Sequence, residues 1–265
     1  MNDTEIEKTI KDIKNLKIQG ATAIAVAGIE ILKEIHKNYG FNEKFNNMCE
    51  RLNTTRPTAV PLHNVIEILK TSKDKQAFDK LILFLKTAKV NIATHTQKYI
   101  TDGSTIMTHC HSSEVIESFK MAKNNGINFS VIVTETRPKL QGKQTAKDLL
   151  NAKIPVTYIV DSASSNFLAE TTAVIMGIDA VRKEGVYNKI GSYMIALAAK
   201  QKGIPVYFLG NTLKIDKRQE ITIEERAGCE VIDLRTLKGA KIKNPAFDLT
   251  PWNLITALIT ERGKY

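Results

Sequence analysis

Five residues able to carry acid–base or phosphate chemistry each come shortly after a short apolar run. Cys110 comes after STIMT, Arg137 after NFSVIVT, Asp161 after IPVTYIV, Asp179 after TAVIMG and Lys214 after IPVYFLG. A thiol and carboxyl groups can move protons, and cationic side chains neutralise phosphate. If the runs are neighbouring parallel strands, the five side chains meet at one sheet edge. The pattern predicts a cationic pocket with an acid–base pair, suited to proton transfer on a phosphorylated substrate.

Each of these residues also has a structural interpretation. Cys110 could be a small core residue, because free cysteine is among the most buried residue types. Its place before a helix start instead favours a lowered thiol pKa and a reactive thiol. Asp161 and Asp179 could cap helices or turns, and Arg137 could form a surface ion pair. No residue decides alone, whereas their joint placement at successive strand ends favours a site.

Two histidines, His109 and His111, flank the cysteine, and we interpret both as structural. No third ligand at a metal-binding spacing accompanies them, so the sequence predicts no metal site. It also contains neither a GxxxxGK[ST] loop nor a GxGxxG turn after a strand. Nucleotide hydrolysis and nicotinamide chemistry therefore have no support, and we predict no cofactor.

The elements that must position these side chains begin at Ser104. We expect strands at STIMT, NFSVIVT, IPVTYIV, TAVIMG, IPVYFLG and CEVIDL, and helices at SEVIESFKMAKN, QGKQTAKDLLNA, SASSNFLAE and IGSYMIALAAKQKG. Short strands that alternate with helices are typical of βαβ units and of a parallel sheet covered on both faces. Ligands of such sheets bind outside the carboxyl ends of the strands.

The first hundred residues show helical patterns and no β signal. We expect a first helix with Ile6, Ile10, Ile13 and Leu16 at helical spacing, capped by Asp3 or Thr4. Further helices are predicted at AIAVAGIEILKEIHK, around 42–52, from near Asn64, and over about 74–99. The predicted fold is α/β, with an N-terminal helical domain at 1–100 and a Rossmann-like parallel α/β domain at 101–265 that carries the active site.

Composition narrows the class of protein. The chain has 265 residues, 43% hydrophobic and 25% charged, with a formal net charge of +10. These values are ordinary for a globular protein and exclude disordered, collagen-like and coiled-coil chains. The basic residues are scattered, so we expect no nucleic-acid partner. Three distant cysteines and the lack of a long apolar run predict a cytoplasmic protein without a membrane partner.

Several motifs together resemble one known family. IKNLKIQGATAIA, TTRPTAVPL, THCHSS, ETRPKLQG, MGIDAVRKEGVYNKIGSYMIALAA and NPAFDLTPWNLITALITERG are similar to segments of the initiation factor 2B alpha/beta/delta family. That family also contains methylthioribose-1-phosphate isomerase and archaeal ribose-1,5-bisphosphate isomerase. The match runs in family order from about residue 10 to the end of the sequence. The resemblance implies the same fold, and at least a homodimer.

The resemblance also implies residue roles. The isomerases use a cysteine and an aspartate that match Cys110 and Asp179, a pair that the translation-factor subunits generally lack. Their asparagine–lysine pair and late lysine, which bind substrate, match Asn188, Lys189 and Lys214. The remaining candidate substrate-binding residues are Gln19, Gly20, Ala21, Thr22, Arg56, Ser112, Ser113 and Arg137.

Two positions depart from the isomerase pattern. Gln19 stands where the isomerases carry an arginine that holds a substrate phosphate, so a bidentate phosphate partner is lost. The backbone amides of the following turn can still bind an anion at a helix start. His111 replaces the asparagine common after the cysteine in the methylthioribose enzymes, which disfavours that substrate.

The leading hypothesis is an aldose–ketose isomerase acting on a ribose with phosphate on C1, ribose 1,5-bisphosphate. Asp179 would be protonated in an apolar setting and would open the ring, and Cys110 would move a proton from C2 to C1. Lys189, Lys214 and Arg137 would neutralise phosphate and enolate charge. The alternative is a non-catalytic regulator of translation that binds a sugar phosphate or nucleotide, and a further possibility is a scaffold subunit.

Overall fold

The computed structural model describes residues 1–15, 17–18, 20–219 and 223–265. Contacts divide the chain into two compact units. The helical unit comprises Met1–Ala88 with Thr212–Thr222, and the α/β unit comprises Lys89–Asn211 with Ile223–Tyr265. The domain boundary at residue 100 stays a prediction.

The helices form where apolar residues recur at helical spacing. Their bounds are α1 Asp3–Lys14, α2 Ala21–Tyr39, α3 Glu43–Thr55, α4 Val60–Ser72, α5 Ala77–Thr96, α6 Ser113–Asn124, α7 Gly142–Asn151, α8 Ser164–Phe167 and α9 Ser192–Gln201. As the sequence predicts, the described part of the first hundred residues is helical and contains no strand.

Helix α1 shows how sequence sets a helix start. Ile6, Ile10 and Ile13 are buried on one face, and Leu16 lies outside the described residues. The cap is Asn2, so the expectation of Asp3 or Thr4 was wrong. The Asn2 side chain accepts from the Glu5 amide, and the Glu5 carboxylate accepts from the Asn2 amide. This reciprocal pair satisfies two amides that a helix start leaves without partners.

Helices α2 and α4 approach closely in the helical unit. A Cβ built on Gly28 of α2 would lie 2.3 Å from Leu62 Cδ1 of α4, so only glycine fits there without a shift. Helix α4 begins at Val60, earlier than the predicted start near Asn64. Pro61 does not stop it, because a first-turn residue has no intrahelical acceptor for its amide and proline is tolerated there.

The α/β unit contains a mostly parallel sheet. Its seven strands have the order β10-β9-β7-β4-β1-β2-β3, and β10 runs antiparallel to β9. Their bounds are β1 Thr105–Thr108, β2 Ser130–Thr134, β3 Val156–Ile159, β4 Ala173–Gly177, β7 Val206–Leu209, β9 Ala257–Thr260 and β10 Gly263–Lys264.

Both faces of this sheet are covered, as the apolar runs predict. Alternate residues of one strand enter opposite cores, because successive side chains of a strand point to opposite faces. Ile106 of β1 packs with Val115 and Phe119 of α6, whereas Met107 belongs to the core that contains Ile195 of α9. The predicted α/β class with a parallel sheet is confirmed.

Two expectations about the strands were incomplete or wrong. CEVIDL is no strand: Gly228–Glu230 is a short 3₁₀ turn, and Leu234 is exposed. The place beside β7 is taken by β9, whose four residues are all buried. The sequence interpretation also missed a second, three-stranded antiparallel sheet of order β5-β6-β8, formed by β5 Ala180–Arg182, β6 Gly185–Lys189 and β8 Phe247–Pro251.

Candidate active site

Cys110 lies just beyond β1 in a backbone conformation unusual for a residue with a side chain. Its φ is 69°, in the left-handed region that costs free energy for residues other than glycine. Its N–H donates to Thr136 Oγ1 at 2.9 Å. Its carbonyl accepts from the Thr145 hydroxyl of α7 at 2.8 Å. The backbone is thus held from both sides, and the side chain is half-buried.

The electrostatic surroundings of the Cys110 thiol involve three charged residues. Burial raises its pKa to about 11, the Lys189 ammonium opposes that rise, and the Asp179 and Asp161 carboxylates add to it. The expectation that the helix start lowers the thiol pKa was therefore wrong, because desolvation dominates. Cys110 and Asp179 follow the neighbouring parallel strands β1 and β4, and the charges of Asp179 and Lys189 both act on the thiol, as the isomerase hypothesis requires.

Asp179 lies between β4 and β5 and is half-buried. The residues before it, Met176 and Ile178, are buried, so the apolar surface that the sequence predicts beside it is present. Its backbone N–H donates to Tyr187 O at 2.9 Å, which fixes it to the β5–β6 hairpin. The second sheet therefore positions the candidate acid.

The asparagine–lysine pair ends strand β6. Lys189 is buried, with Nζ 5.2 Å from the centroid of the Phe247 ring. The Asn188 side-chain amide donates to Ser192 Oγ at 2.8 Å, and that hydroxyl donates to Lys189 O. These two bonds join the end of β6 to the first residue of α9. Asn188 thus helps to fix the start of α9 to the strand end that carries Lys189.

The two serines after Cys110 surround a buried carboxylate that the sequence interpretation missed. Ser112 and Ser113 hydroxyls each donate to Glu114 Oε2 at 3.1 Å. The buried Asn211 amide donates to Glu114 Oε1 at 3.3 Å. The sequence signal for this carboxylate was an acidic residue in the first turn of a predicted helix, where negative charge is favourable. Gly177 provides the space that Ser112 occupies, because a Cβ at position 177 would lie 2.6 Å from Ser112 Cβ.

The two histidines beside Cys110 hold backbone and side-chain partners. His109 is buried, with Nε2 2.8 Å from Ile190 O and Nδ1 2.6 Å from Thr134 Oγ1. A carbonyl only accepts, so Nε2 donates and Nδ1 accepts from the hydroxyl. Burial lowers the His109 pKa, so the ring is neutral. His111 Nδ1 lies 3.0 Å from Thr145 Oγ1.

Arg137 and Asp161 follow β2 and β3. The Asp161 carboxylate accepts from the Thr136 and Arg137 amides, each at 2.7 Å. The Arg137 guanidinium is exposed and donates through Nη2 to Val231 O at 2.7 Å. Arg137 therefore contacts the segment after the 3₁₀ turn at Gly228–Glu230.

The remaining candidate residues lie in the helical unit. Residues 20–22 form the start of α2, where Gly20 is the cap residue with φ 85°. Arg56 follows the end of α3 and is half-buried. Lys214 is buried in a short 3₁₀ turn, one residue after Leu213 of the helical core. Gln19 lies outside the described residues.

The described part of the chain has neither a cluster of metal ligands nor a membrane-spanning helix. It contains no group of three or more histidine, cysteine, aspartate or glutamate residues placed to hold a metal ion. None of its helices is long and apolar enough to cross a membrane.

A family model, named relatives and a solved structure all match almost the whole of this chain. A family model described as the initiation factor 2 subunit family matches residues 17–265. Ribose 1,5-bisphosphate isomerase of Archaeoglobus fulgidus is 37% identical, covering 98% of this chain and 89% of that protein. Methylthioribose-1-phosphate isomerase of Geotalea daltonii is 33% identical, covering 98% and 86%. The structure of Pyrococcus horikoshii OT3 translation initiation factor eIF-2B matches with a TM-score of 0.87 at 27% identity, covering 100% and 97%.

Proposed function

The chain belongs to the initiation factor 2 subunit family, and we propose that it is an aldose–ketose isomerase that converts ribose 1,5-bisphosphate to ribulose 1,5-bisphosphate. The observation that carries the proposal is that Cys110 and Asp179 follow adjacent parallel strands and that the charges of Asp179 and Lys189 both act on the Cys110 thiol. A proton carrier, a carboxyl group and a cation together are what an enolisation requires. The similarity to ribose 1,5-bisphosphate isomerases along almost the whole chain supports the choice of substrate.

The proton transfers balance with two protein groups. Asp179 gives a proton to the ring oxygen, and the bond between that oxygen and C1 breaks. Cys110 removes the proton from C2, so that C1 and C2 become joined by a double bond. The C2 hydroxyl then returns a proton to Asp179, while Cys110 delivers its proton to C1. The product carries a ketone at C2, and both protein groups regain their starting states.

Lys189 has the role of a charge partner. A buried ammonium stabilises the thiolate before the proton is taken and the enolate oxygen afterwards, because a low dielectric strengthens both interactions. The interaction matters because a thiol pKa of about 11 leaves about one thiolate in 10⁴ at pH 7. We propose that no cofactor takes part and that the substrate is bound by Gln19, Gly20, Ala21, Thr22, Arg56, Ser112, Ser113, Arg137, Asn188 and Lys214.

Regulation of translation is the second candidate function. It is favoured by the solved eIF-2B structure with a TM-score of 0.87 and by a Cys110 pKa that leaves the thiol protonated at neutral pH. A protein of this kind would bind a sugar phosphate or nucleotide without turning it over.

The deciding experiment measures turnover and binding separately. Ribose 1,5-bisphosphate is incubated with the wild-type protein and with Asp179→Asn, and ribulose 1,5-bisphosphate is quantified; calorimetry measures binding. We expect turnover only in the wild type and binding in both. Methylthioribose 1-phosphate and a nucleoside monophosphate serve as comparison ligands. Binding without turnover in the wild type would establish the regulator instead.

We also propose that the protein forms a homodimer or a larger homo-oligomer in the cytoplasm, where phosphorylated sugars are metabolised. Tyr193, Met194 and Leu197 of α9 are exposed apolar residues in the α/β unit, as is Trp252 after β8. Apolar residues grouped on a surface are typical of association sites. Light scattering at several protein concentrations should give at least twice the chain mass, and Met194→Lys should reduce it.

A further inference from the structure

We propose that Asp161 is a positioning residue that fixes the backbone of Cys110 through Thr136. The inference rests on the proposed role of Cys110 in the isomerisation. Asp161 follows β3, which lies three places from β4 in the strand order of the sheet, and the inference assigns it a geometric task. Asp161 itself takes no part in the proton transfers described above.

The first link joins Asp161 to the turn after β2. Its Oδ1 accepts the Thr136 amide and its Oδ2 accepts the Arg137 amide, both at 2.7 Å. Charge-assisted bonds of this length are stronger than bonds between neutral groups. Asp161 is the first residue of the 3₁₀ turn Asp161–Ala163, whose cap residue is Val160. Both carboxylate oxygens are thus used across the sheet edge.

The second link lies in the conformation of Thr136. Its φ is 62°, and a β-branched residue in the left-handed region is a genuine outlier that its surroundings must hold in place. Thr136 is fully buried. The two amides bound by Asp161 belong to Thr136 and to the next residue, so the carboxylate holds the strained residue at the point of strain.

The third link joins Thr136 to Cys110. The Thr136 hydroxyl donates to Thr134 O at 3.3 Å and accepts the Cys110 amide at 2.9 Å. One hydroxyl hydrogen can serve only one acceptor, so the donation to Thr134 leaves a lone pair aimed at Cys110. Cys110 is itself left-handed, with φ 69°. The direction of its thiol therefore depends on a chain of bonds that begins at Asp161.

The charge of Asp161 acts against the reactivity of the thiol. Its carboxylate contributes to raising the Cys110 pKa, whereas Lys189 opposes that rise. A residue that activated the thiol would have to lower the thiol pKa, which requires a positive charge. Removing the charge should therefore make the thiol more acidic and yet, if the geometry matters, slow the reaction. A merely structural aspartate would not produce these two effects together.

The test compares Asp161→Asn with a matched control. Asp102 also accepts a backbone amide with its side chain, from Asn128 at 2.8 Å, at an exposed turn before β1. Iodoacetamide alkylation of Cys110 is followed against pH in a Cys229→Ser background, since Cys229 is exposed and Cys49 is buried. We expect Asp161→Asn to lower kcat at least tenfold, leave KM within about twofold and lower the thiol pKa. Asp102→Asn should change none of these.

A second pair of variants isolates the hydroxyl contact and serves if Asp161→Asn fails to fold. Thr136→Ser keeps the hydroxyl and Thr136→Val keeps the shape without it. We expect Thr136→Ser to retain most of kcat, and Thr136→Val to lose at least tenfold and to be alkylated faster as Cys110 is released. Equal kcat and alkylation in the two variants would overturn the proposal, as would an unchanged kcat in Asp161→Asn.

The same experiment separates this inference from the proposed function. If the wild-type protein does not convert ribose 1,5-bisphosphate, the isomerase assignment fails. The alkylation rates still decide the positioning role, because they report on Cys110 without substrate. Faster alkylation in Thr136→Val than in Thr136→Ser would then support the chain of contacts, and equal rates would overturn it.

Discussion

Two cysteines of this protein are surrounded by very different side chains. Cys49 is fully buried in the apolar core of the helical unit. Burial raises its pKa to about 12, and the cation that opposes the rise is Lys70, which is bound to Glu50 at 3.1 Å. Cys110 of the α/β unit is half-buried. Burial raises its pKa to about 11, and the buried Lys189 opposes that rise.

The comparison shows that burial alone makes a thiol inert. Both thiols are disfavoured as thiolates by desolvation, so the pKa does not separate the core residue from the candidate catalyst. The two cysteines differ in their surroundings. Cys110 has the buried Lys189 ammonium and the Asp179 carboxyl group near it, and its own backbone is held in a rare conformation. The proposed isomerisation would use those neighbours, and the following predictions test them from the largest expected effect to the smallest.

The largest effect is expected from the two cysteines themselves. Cys110→Ser should lower kcat at least about 10³-fold, because a hydroxyl is a far weaker acid than a thiol and cannot supply the base. Cys49→Ser should keep kcat and lower the free energy of unfolding by about 1–3 kcal/mol, because it buries a hydroxyl in an apolar core. Steady-state kinetics and urea unfolding measure the two quantities.

The control for this pair is Cys229→Ala at the exposed cysteine. It should change neither kcat nor the free energy of unfolding. Loss of turnover in that variant without loss of fold would move the catalytic role away from Cys110.

Asp179→Asn should lower kcat by about 10²- to 10⁴-fold, which is the usual range for loss of a general acid or base. The amide keeps the shape of the side chain and has no acidic proton, so substrate binding measured by calorimetry should persist. Normal turnover would exclude the acid role. Loss of both binding and fold would make Asp179 a structural residue.

Lys189→Gln should lower kcat at pH 8 by about 10- to 100-fold, because the thiol pKa rises when the opposing ammonium is removed. The matched variant near the other buried cysteine is Lys70→Gln. The Lys70 ammonium lowers the Cys49 pKa against the rise caused by burial. Lys70→Gln should leave kcat unchanged. Equal effects of the two variants would contradict the role given to the neighbours of Cys110.

The pH profile of Cys110 alkylation tests the raised pKa directly. Because the thiolate is the nucleophile towards iodoacetamide and the thiol pKa is about 11, alkylation of Cys110 in a Cys229→Ser background should rise about tenfold per pH unit from pH 7 to pH 9. A plateau beginning near pH 7 would mean that the thiol is far more acidic than its buried position implies.

The smallest effect concerns a carboxyl group on which burial acts as it does on the thiols. Burial raises the pKa of Asp248 to about 6, against the opposing bonds from the Gly191 and Tyr193 amides. A raised folded-state pKa means that ionisation costs folding stability as the pH rises from about 4 to about 6. The free energy of unfolding of Asp248→Asn relative to wild type should therefore increase over that interval. Equal pH dependence of the two proteins would contradict the burial argument.

Much of the fold could be predicted from the sequence. The family motifs are confirmed by the matching family model, and alternating apolar runs gave the parallel strands because buried strands read as continuous apolar segments. CEVIDL failed because an apolar pattern does not say which segment occupies the place beside β7. The β5–β6 hairpin was also missed, although RKEG between two short apolar segments is a turn signal.

The site was predictable in its residue types and only partly in its geometry. Strand ends located Cys110 and Asp179, because parallel strands bring their carboxyl ends to one edge. The left-handed conformations of Cys110 and Thr136 left no mark, since neither residue is glycine or asparagine. The raised thiol pKa depends on summed burial from many chain segments, which local sequence does not contain.

The β5–β6 hairpin has a consequence for how this chain could change over generations. Asp179 directly precedes β5, and Lys189 is the last residue of β6. The bond from Asp179 N–H to Tyr187 O joins the two ends of the hairpin. Cys110 belongs to a separate strand end of the larger sheet. If Asp179 and Lys189 act as proposed, mutations confined to one short hairpin can remove both the proton donor and the cation while the larger sheet and its thiol are inherited intact. Changes in a single small segment would then separate a catalyst of this architecture from a binding protein.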